Sequence, residues 1–406
     1  MRNIRLYFWF QVMISSMAWL PVFFLYFSEN LSLRDVLLLE AVYYISIVIL
    51  EVPSGYFSDV VGRKRTLVFS AIFFSLAYFL FFITREFEFF VAAQFLLAGG
   101  MAFLSGTGTS FHFESLKAIG KEDEYGEREA KVYTWRLAAS SVAVLSGGLI
   151  AHYGLQYPYA LSFLTAIPAL AIALLFKEPT AEKEASEHGL PFIKQLIKCF
   201  SYLKQAPLGW LFGFAVLLYV LIHVPYEYYQ PYLGLLEAEG TLTLGDAPLI
   251  SGILYALTSA IAAFAAGYSI KLRDKLGLTN LLLIALFIQL GIIALIGSWL
   301  HPAILLVILF RNLALAITDA PVNAAIAPRV ETGQRATYFS LQSLTCRLAF
   351  FATLFTTSFF VEKEAAISWP VLSSILLISA GIGLALALVL VAFSVKNRKL
   401  IINPDD

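Results

Sequence analysis

Runs of roughly twenty mostly apolar residues recur from one end of this chain to the other, and a helix of that length crosses the ~30 Å hydrocarbon layer of a bilayer. Twelve such runs can be marked, near residues 6–27, 35–58, 66–84, 89–116, 130–152, 157–176, 208–235, 247–270, 278–299, 302–327, 336–361 and 370–395. The fourth, tenth and eleventh carry polar residues within the apolar run. Of the 406 residues 59% are hydrophobic and 14% charged, whereas soluble domains run near about one quarter charged. So little polar surface cannot cover a water-soluble core, and the bilayer is the expected solvent. The fold class that follows is all-α integral membrane, with twelve transmembrane helices.

Charge orients the spans. With the amino terminus inside, the outer loops hold only Arg34, Arg85 and Lys363 of the 28 Lys and Arg; Arg136, Arg311 and Arg347 fall within spans, and all the others lie inside. This is the positive-inside bias, and it places both termini in the cytoplasm. The opening run, "MRNIRLYFWFQVMISSMAWLPVFFLYF", is too long for the apolar region of a signal peptide and is followed by no small-residue cleavage site, so a retained first span is expected.

The hydrophilic stretch 177–206 separates six spans from six. It begins as a solvated linker, "KEPTAEKEASEHG". Leu190, Ile193, Ile197, Phe200 and Leu203 then recur at helical spacing with Lys194, Lys198 and Lys204 opposite, the pattern of an amphipathic helix on the inner membrane surface. The expected organisation is a bundle over 1–177, a linker over 178–206 and a second bundle over 207–406. A faint internal echo supports duplication: Asp59-x-x-Gly62 after span 2 matches Asp274-x-x-Gly277 after span 8. Each lies at the inner end of the second span of a six-span half, as in carriers built from repeats.

Zero formal net charge leaves no global nucleic-acid footprint. Cys199 and Cys346 have no metal-ligand spacing, and no metal or cofactor is expected. No H-E-x-x-H, G-x-S-x-G or G-x-x-x-x-G-K-[ST] occurs, and His112 and Glu114 at i, i+2 face different sides of a helix, so neither an enzyme nor a nucleotide-driven pump is indicated.

Gly55, Asp59, Gly62, Arg63 and Lys64, in "EVPSGYFSDVVGRKR", resemble the signature loop of the major facilitator superfamily, G-x-x-x-D-x-x-G-R-[KR]. The twelve spans, duplicated halves and long central loop match that family over essentially the whole chain, and "EVPSG" resembles a bacterial branch of mostly unassigned substrate. Physically, Gly55 would let a neighbouring backbone approach, Gly62 suits a sharp turn, and the cations belong in water or headgroups. The resemblance implies an inner gate. In it Asp59 meets the inner end of a helix of the other half, for which the amino end of span 11 near Arg335 is suited, and Arg63 pairs with a nearby acid, for which Glu114 is the candidate. An acid at a helix amino terminus gains ~0.3–1 kcal/mol from the dipole.

The resemblance also implies that spans 1, 4, 7 and 10 line a central pathway, and ionisable residues inside a membrane are costly enough to mark such a path. Span 1 offers Trp9, Gln11 and Trp19, and span 4 offers Gln94 and His112. Span 7 offers Tyr219, His223, Tyr226, Glu227 and Gln230. Span 10 offers Arg311, Asn312, Asp319 and Asn323, with Arg311 and Asp319 eight residues apart and nearly on one face. Arg136 and Arg347 fall in corresponding spans of the two halves and could clasp an anionic group. Asp319, Glu227 and His223 are the candidates for proton coupling. Glu40 is near enough to the outside to snorkel. The substrate set is then Trp9, Gln11, Arg136, Tyr219, His223, Tyr226, Arg311, Asn312, Asn323 and Arg347.

The expected function is secondary transport of a small amphiphilic solute by a monomer, coupled to protons, with efflux suggested by the aromatic pathway. Ala143 and Val144 replace the Gly and Pro of the G-P-x-x-G-G pattern of drug-efflux members, although Gly147 and Gly148 are present. Uptake of an organic anion or zwitterion is the second reading, and a non-transporting membrane sensor or scaffold the third.

Overall fold

The computed structural model describes residues 1–179, 199–243, 245–331, 334–362 and 367–396. Among these, every regular element is a helix. Eleven helical segments are long and apolar enough to cross a membrane. The first span falls short of that measure because it is broken: α1 (Arg2–Ile14) is followed by turns and then by the short α2 (Phe23–Ser28).

Spans 2 and 3 are α3 (Leu33–Val61) and α4 (Arg63–Ile83). Ser32 starts α3 by accepting a hydrogen bond from the Asp35 amide at 3.2 Å, which satisfies one of the orphan amides of the first turn. Span 4 is α5 (Phe87–Leu104) and α6 (Thr107–Lys117), separated at Ser105 and Gly106, where Gly106 takes φ +70°. Spans 5 and 6 are α7 (Tyr125–Ile150) and α8 (Tyr157–Leu175). Span 7 is α9 (Ala206–Ala238), whose 33 residues reach about 50 Å. Span 8 is α10 (Ala247–Ala266), extended by a short α11 (Ser269–Leu276), and span 9 is α12 (Leu278–Ser298). Span 10 is split into α13 (Ile304–Ile308) and α14 (Leu313–Ile326). Spans 11 and 12 are α15 (Arg335–Phe360) and α16 (Trp369–Lys396). The twelve spans thus form two six-helix bundles, with spans 1, 4 and 10 interrupted rather than continuous. The surface helix expected at 190–204 lies mostly outside the described residues.

By internal packing the chain divides into two compact units, residues 1–184 with 244–253 and 354–366, and residues 185–243, 254–353 and 367–406. In lipid, apolar burial does not drive helices together, so close contact and interhelical hydrogen bonds must. The first unit shows both. A Cβ on Gly100 would lie 2.9 Å from the Phe74 ring, and the Ser70 hydroxyl donates to the Gly100 carbonyl at 2.8 Å. In the second unit a Cβ on Gly383 would lie 2.7 Å from Leu221, and Gln289 Nε2 donates to the Leu221 carbonyl at 3.1 Å. Glu40 does not snorkel. It is buried in the first unit and accepts a hydrogen bond from Gln94 Nε2 at 2.9 Å, which joins α3 to α5.

Candidate functional site

The signature loop is built on one glycine. Gly62 ends α3 and begins α4 with φ +109° and ψ 154°, a left-handed conformation that disfavours a side chain. A Cβ would also lie 2.8 Å from the Glu178 carboxyl. That carboxylate caps α4, accepting from the Arg63 amide at 2.6 Å and the Lys64 amide at 3.1 Å. Gly277, its counterpart between α11 and α12, has φ +76° and ψ 151°. The faint sequence echo is therefore an echo of backbone geometry.

Arg63 gathers the predicted gate. Its Nε donates to Glu114 Oε1 at 3.2 Å, and its Nη1 reaches Asp59 Oδ1 at 2.6 Å and Ser58 Oγ at 2.8 Å. Thr107 Oγ1 donates to the same Ser58 hydroxyl at 3.0 Å, so the cluster runs up to the break in span 4. The structure thus brings Asp59, Arg63 and Glu114 together. Gly55 differs from expectation: a Cβ there meets nothing within 4 Å, so among the described residues no neighbouring backbone lies against it.

A second cluster lies where α1, α6 and α7 meet. His112 Nδ1 sits 2.5 Å from Glu129 Oε2, with the imidazole fully buried and stacked 4.5 Å from the Tyr7 ring. Gln11 Nε2 donates to the Tyr7 hydroxyl at 2.9 Å, and Tyr125 lies 5.6 Å from the imidazole. Arg136 Nε donates to Ser15 Oγ at 3.1 Å, at the point where α1 stops. Gln11 and Arg136 are therefore in this cluster. Trp9 is not: it turns to another face of α1 and is 54% exposed. Glu129 was missed in the sequence, where it reads as part of an inner loop. The available signal was the stripe Tyr125, Glu129, Val132, Arg136 at i, i+4, i+7, i+11, which α7 presents on one side.

The third cluster, in the second unit, centres on Arg311. Its side chain is 1% exposed, and its guanidinium carbon lies 4.1 Å from the centre of the Tyr229 ring and 5.9 Å from that of Tyr226. Among the described residues Arg311 Nε and Nη1 have no hydrogen-bond partner. Glu227 and Gln230 are buried in the same stretch of α9, and Gln230 Nε2 donates to the Tyr229 hydroxyl at 3.2 Å. One turn earlier His223 stacks on Tyr219 at 3.9 Å, with Nδ1 2.8 Å from the Tyr219 carbonyl oxygen and Phe350 of α15 5.1 Å from the ring. Arg347 is within electrostatic reach of His223.

Arg311 and Asp319 do not share the one face expected of them. The turns at 309–312 interrupt the helix, so eight-residue spacing no longer means a shared face; Arg311 turns inward over Tyr229, while Asp319 and Asn323 on α14 are exposed. Asn312 sits at the break itself, as the residue before α14.

Comparison with known proteins agrees with this architecture. The sequence pattern of the Major Facilitator Superfamily matches residues 7–354. The chain belongs to the major facilitator superfamily. A nucleoside transporter, NupG, superposes with a TM-score of 0.77 at 12% identity, covering 97% of this chain and 98% of that one. A D-xylose-proton symporter superposes at 0.64 with 15% identity over 94% of this chain and 96% of the other. A chloramphenicol resistance protein, CraA, of Acinetobacter baumannii is 29% identical over 150 residues, 37% of this chain, and the match spans 33% of that protein's length.

Proposed function

We propose that this protein is a secondary active transporter that exports a small amphiphilic solute across a bacterial plasma membrane in exchange for protons. In this reading the two bundles alternate access to the two sides, both termini are cytoplasmic, and the carrier works as a monomer. The observation that carries the reading is the placement of ionisable side chains where helices break: part-buried Arg136 against Ser15 in span 1, and buried Arg311, next in sequence to Asn312, in span 10. Interrupted helices that present charged side chains inside a bilayer are how carriers form solute sites, because backbone and side chain together can offer polar contacts without water.

Arg311, Tyr226 and Tyr229 supply a cationic, aromatic surface suited to a ring-bearing solute with an electron-rich group. His112 and Glu129 supply proton chemistry. The His112 imidazole is buried, and its Nδ1 sits 2.5 Å from Oε2 of the part-exposed Glu129 carboxylate, which is the contact this role rests on. Glu227, buried on the same helix as Tyr226 and Tyr229, is the acid proposed for the second unit. The export direction is supported by the likeness to CraA, named for chloramphenicol resistance, and by Gly147 and Gly148. Asp59, Arg63 and Glu114 serve as an inner latch, a charged element that two states hold differently. Uptake of an organic anion is the second reading, favoured by the three arginines Arg136, Arg311 and Arg347.

The test uses inside-out membrane vesicles with an acid lumen and labelled chloramphenicol as probe. Accumulation that collapses with the pH gradient and is abolished in Glu129→Gln is expected. Accumulation unaffected by the gradient would overturn proton exchange, and a bound but never accumulated probe would point to a sensor.

A further inference from the structure

A groove on the first unit belongs to none of the three clusters. It encloses about 630 Å³ between α1, α7 and α8, with Trp9, Trp135 and Val142 along its walls and Lys131 at one end. On α7 the groove residues Lys131, Trp135, Ala138 and Val142 recur at i, i+4, i+7, i+11. They lie about 140° around the helix from Glu129 and Arg136, which face the Tyr7–His112 cluster. The groove is therefore a different face of the same helix. It is open along its length: Trp9 is 54%, Trp135 52% and Val142 65% exposed. The Phe8 ring sits edge-on to both Trp9, at 5.3 Å, and Trp135, at 6.2 Å, so an aromatic ledge lines the end near Lys131.

The length and charge of this groove select an occupant. From Lys131 to Ser146 it runs about 22 Å along α7, more than the ~15 Å depth of one leaflet's hydrocarbon. Its walls are almost wholly apolar, which suits an alkyl chain and not a polar solute. Lys131 stands one turn before Trp135, and Arg5 stands one turn before Trp9 on the same stripe of α1. The two cations thus cap the two walls at the same end, the end that the distribution of Lys and Arg places at the inner leaflet. Among the described residues neither forms an ion pair. Tryptophans just inside a pair of cations match the headgroup level of a leaflet, where indole favours the boundary between alkyl chain and phosphate.

We propose that this groove is a binding site for one anionic phospholipid of the inner leaflet, with an acyl chain between α1, α7 and α8 and the phosphate held by Arg5 and Lys131. The site stands apart from the transport reading: it depends on the orientation of the spans and not on the solute or the coupling ion. Its consequence for the carrier is mechanical. The chain would fill the space between α7 and the α1–α8 pair, and α7 carries both Glu129 and Arg136 on its other face.

The experiment replaces Trp19, Trp210, Trp299 and Trp369 by Phe, so that Trp9 and Trp135 are the only emitters. The protein is reconstituted in mixed bilayers in which bromine, a contact quencher of indole, is carried on the acyl chains of either phosphatidylglycerol or phosphatidylcholine. Quenching should report enrichment of the anionic lipid beside these tryptophans on the order of tenfold, because each cation near the surface adds about a severalfold preference. Arg5→Ala with Lys131→Ala should bring the two lipids to parity, and Ala139→Phe, which fills the groove, should weaken quenching by both. Equal quenching by both lipids, unchanged by removing the cations, would overturn the assignment. So would loss of quenching on adding chloramphenicol, which would make the groove a solute site, or absence of quenching by either lipid, which would mean that protein covers it. Should the four-Phe protein fail to fold, native mass spectrometry of the wild type against Arg5→Ala/Lys131→Ala decides the matter: one retained anionic lipid fewer in the variant is expected, and equal retention refutes the site.

Discussion

Replacing Arg311 by Met separates function from stability. The guanidinium lies 4.1 Å over Tyr229 and is 1% exposed, with no hydrogen-bond partner for Nε and Nη1 among the described residues. A desolvated cation–π contact contributes about 2 kcal/mol. Against it stand the several kcal/mol needed to take a cation out of water, and about 1–3 kcal/mol for each buried donor left unmatched. The costs exceed the gain. Met keeps an unbranched chain of similar reach, and its sulfur regains roughly 0.3–1.5 kcal/mol against the same rings. Arg311→Met should therefore leave the protein as stable as before, or stabilise it by about 1–4 kcal/mol, while solute transport is lost. The assay pairs thermal unfolding in detergent with flux in proteoliposomes. A fall in the unfolding midpoint together with lost flux would refute the reasoning, since Arg311 would then be a structural residue whose charge the fold requires.

Three further outcomes follow from the geometry. Gly147→Ala should destabilise by about 1–3 kcal/mol or more, because a Cβ there overlaps the Ala18 carbonyl oxygen and lies 2.8 Å from its carbon, and backbone cannot yield as a side chain can; Gly291→Ala in α12, which meets nothing within 4 Å, should instead stabilise by about 0.4–1 kcal/mol in the same thermal assay. A double-mutant cycle of Arg63→Gln and Glu114→Gln, read by denaturation in detergent, should give a coupling of about 0.5–2 kcal/mol, since the pair is partly exposed and Arg63 also holds Asp59 and Ser58; additivity would show the contact to be idle. His112→Gln and Glu129→Gln should each abolish uphill transport while sparing solute exchange at equal pH on both sides, and loss of both modes would assign the pair to solute binding or folding instead.

The fold was legible because the bilayer sets a minimum length for every spanning element, so the twelve apolar runs suffice to mark it. The signature turn was legible for a different reason: Gly62 needs a positive φ, and few residues other than glycine satisfy it. Its echo at Gly277 shares the positive φ and the ψ near 150°. The interior charges were harder. Assigning Arg311 and Asp319 to one face assumed an unbroken helix, yet Asn312 sits in a run of turns that resets the register. Similar marks were present elsewhere, Ser15, Ser16 and Pro21 in span 1 and Gly106 in span 4, and hydropathy averaged over them. Glu129 escaped because an acid among loop charges looks solvated until α7 is seen to start at Tyr125. Trp9 escaped in the other direction: aromatic composition cannot say which face of α1 a ring leaves by, and it leaves away from Tyr7 and Gln11.

Exchange of solute for protons is tested most directly by watching protons move when only solute is given. Purified protein is sealed in proteoliposomes with a lumenal pH dye and equal pH on both sides, and chloramphenicol, the probe suggested by the likeness to CraA, is added outside. Solute entering down its gradient should expel protons and make the lumen alkaline, and Glu129→Gln should abolish the signal. Entry of the probe with a constant or acidifying lumen would contradict the account.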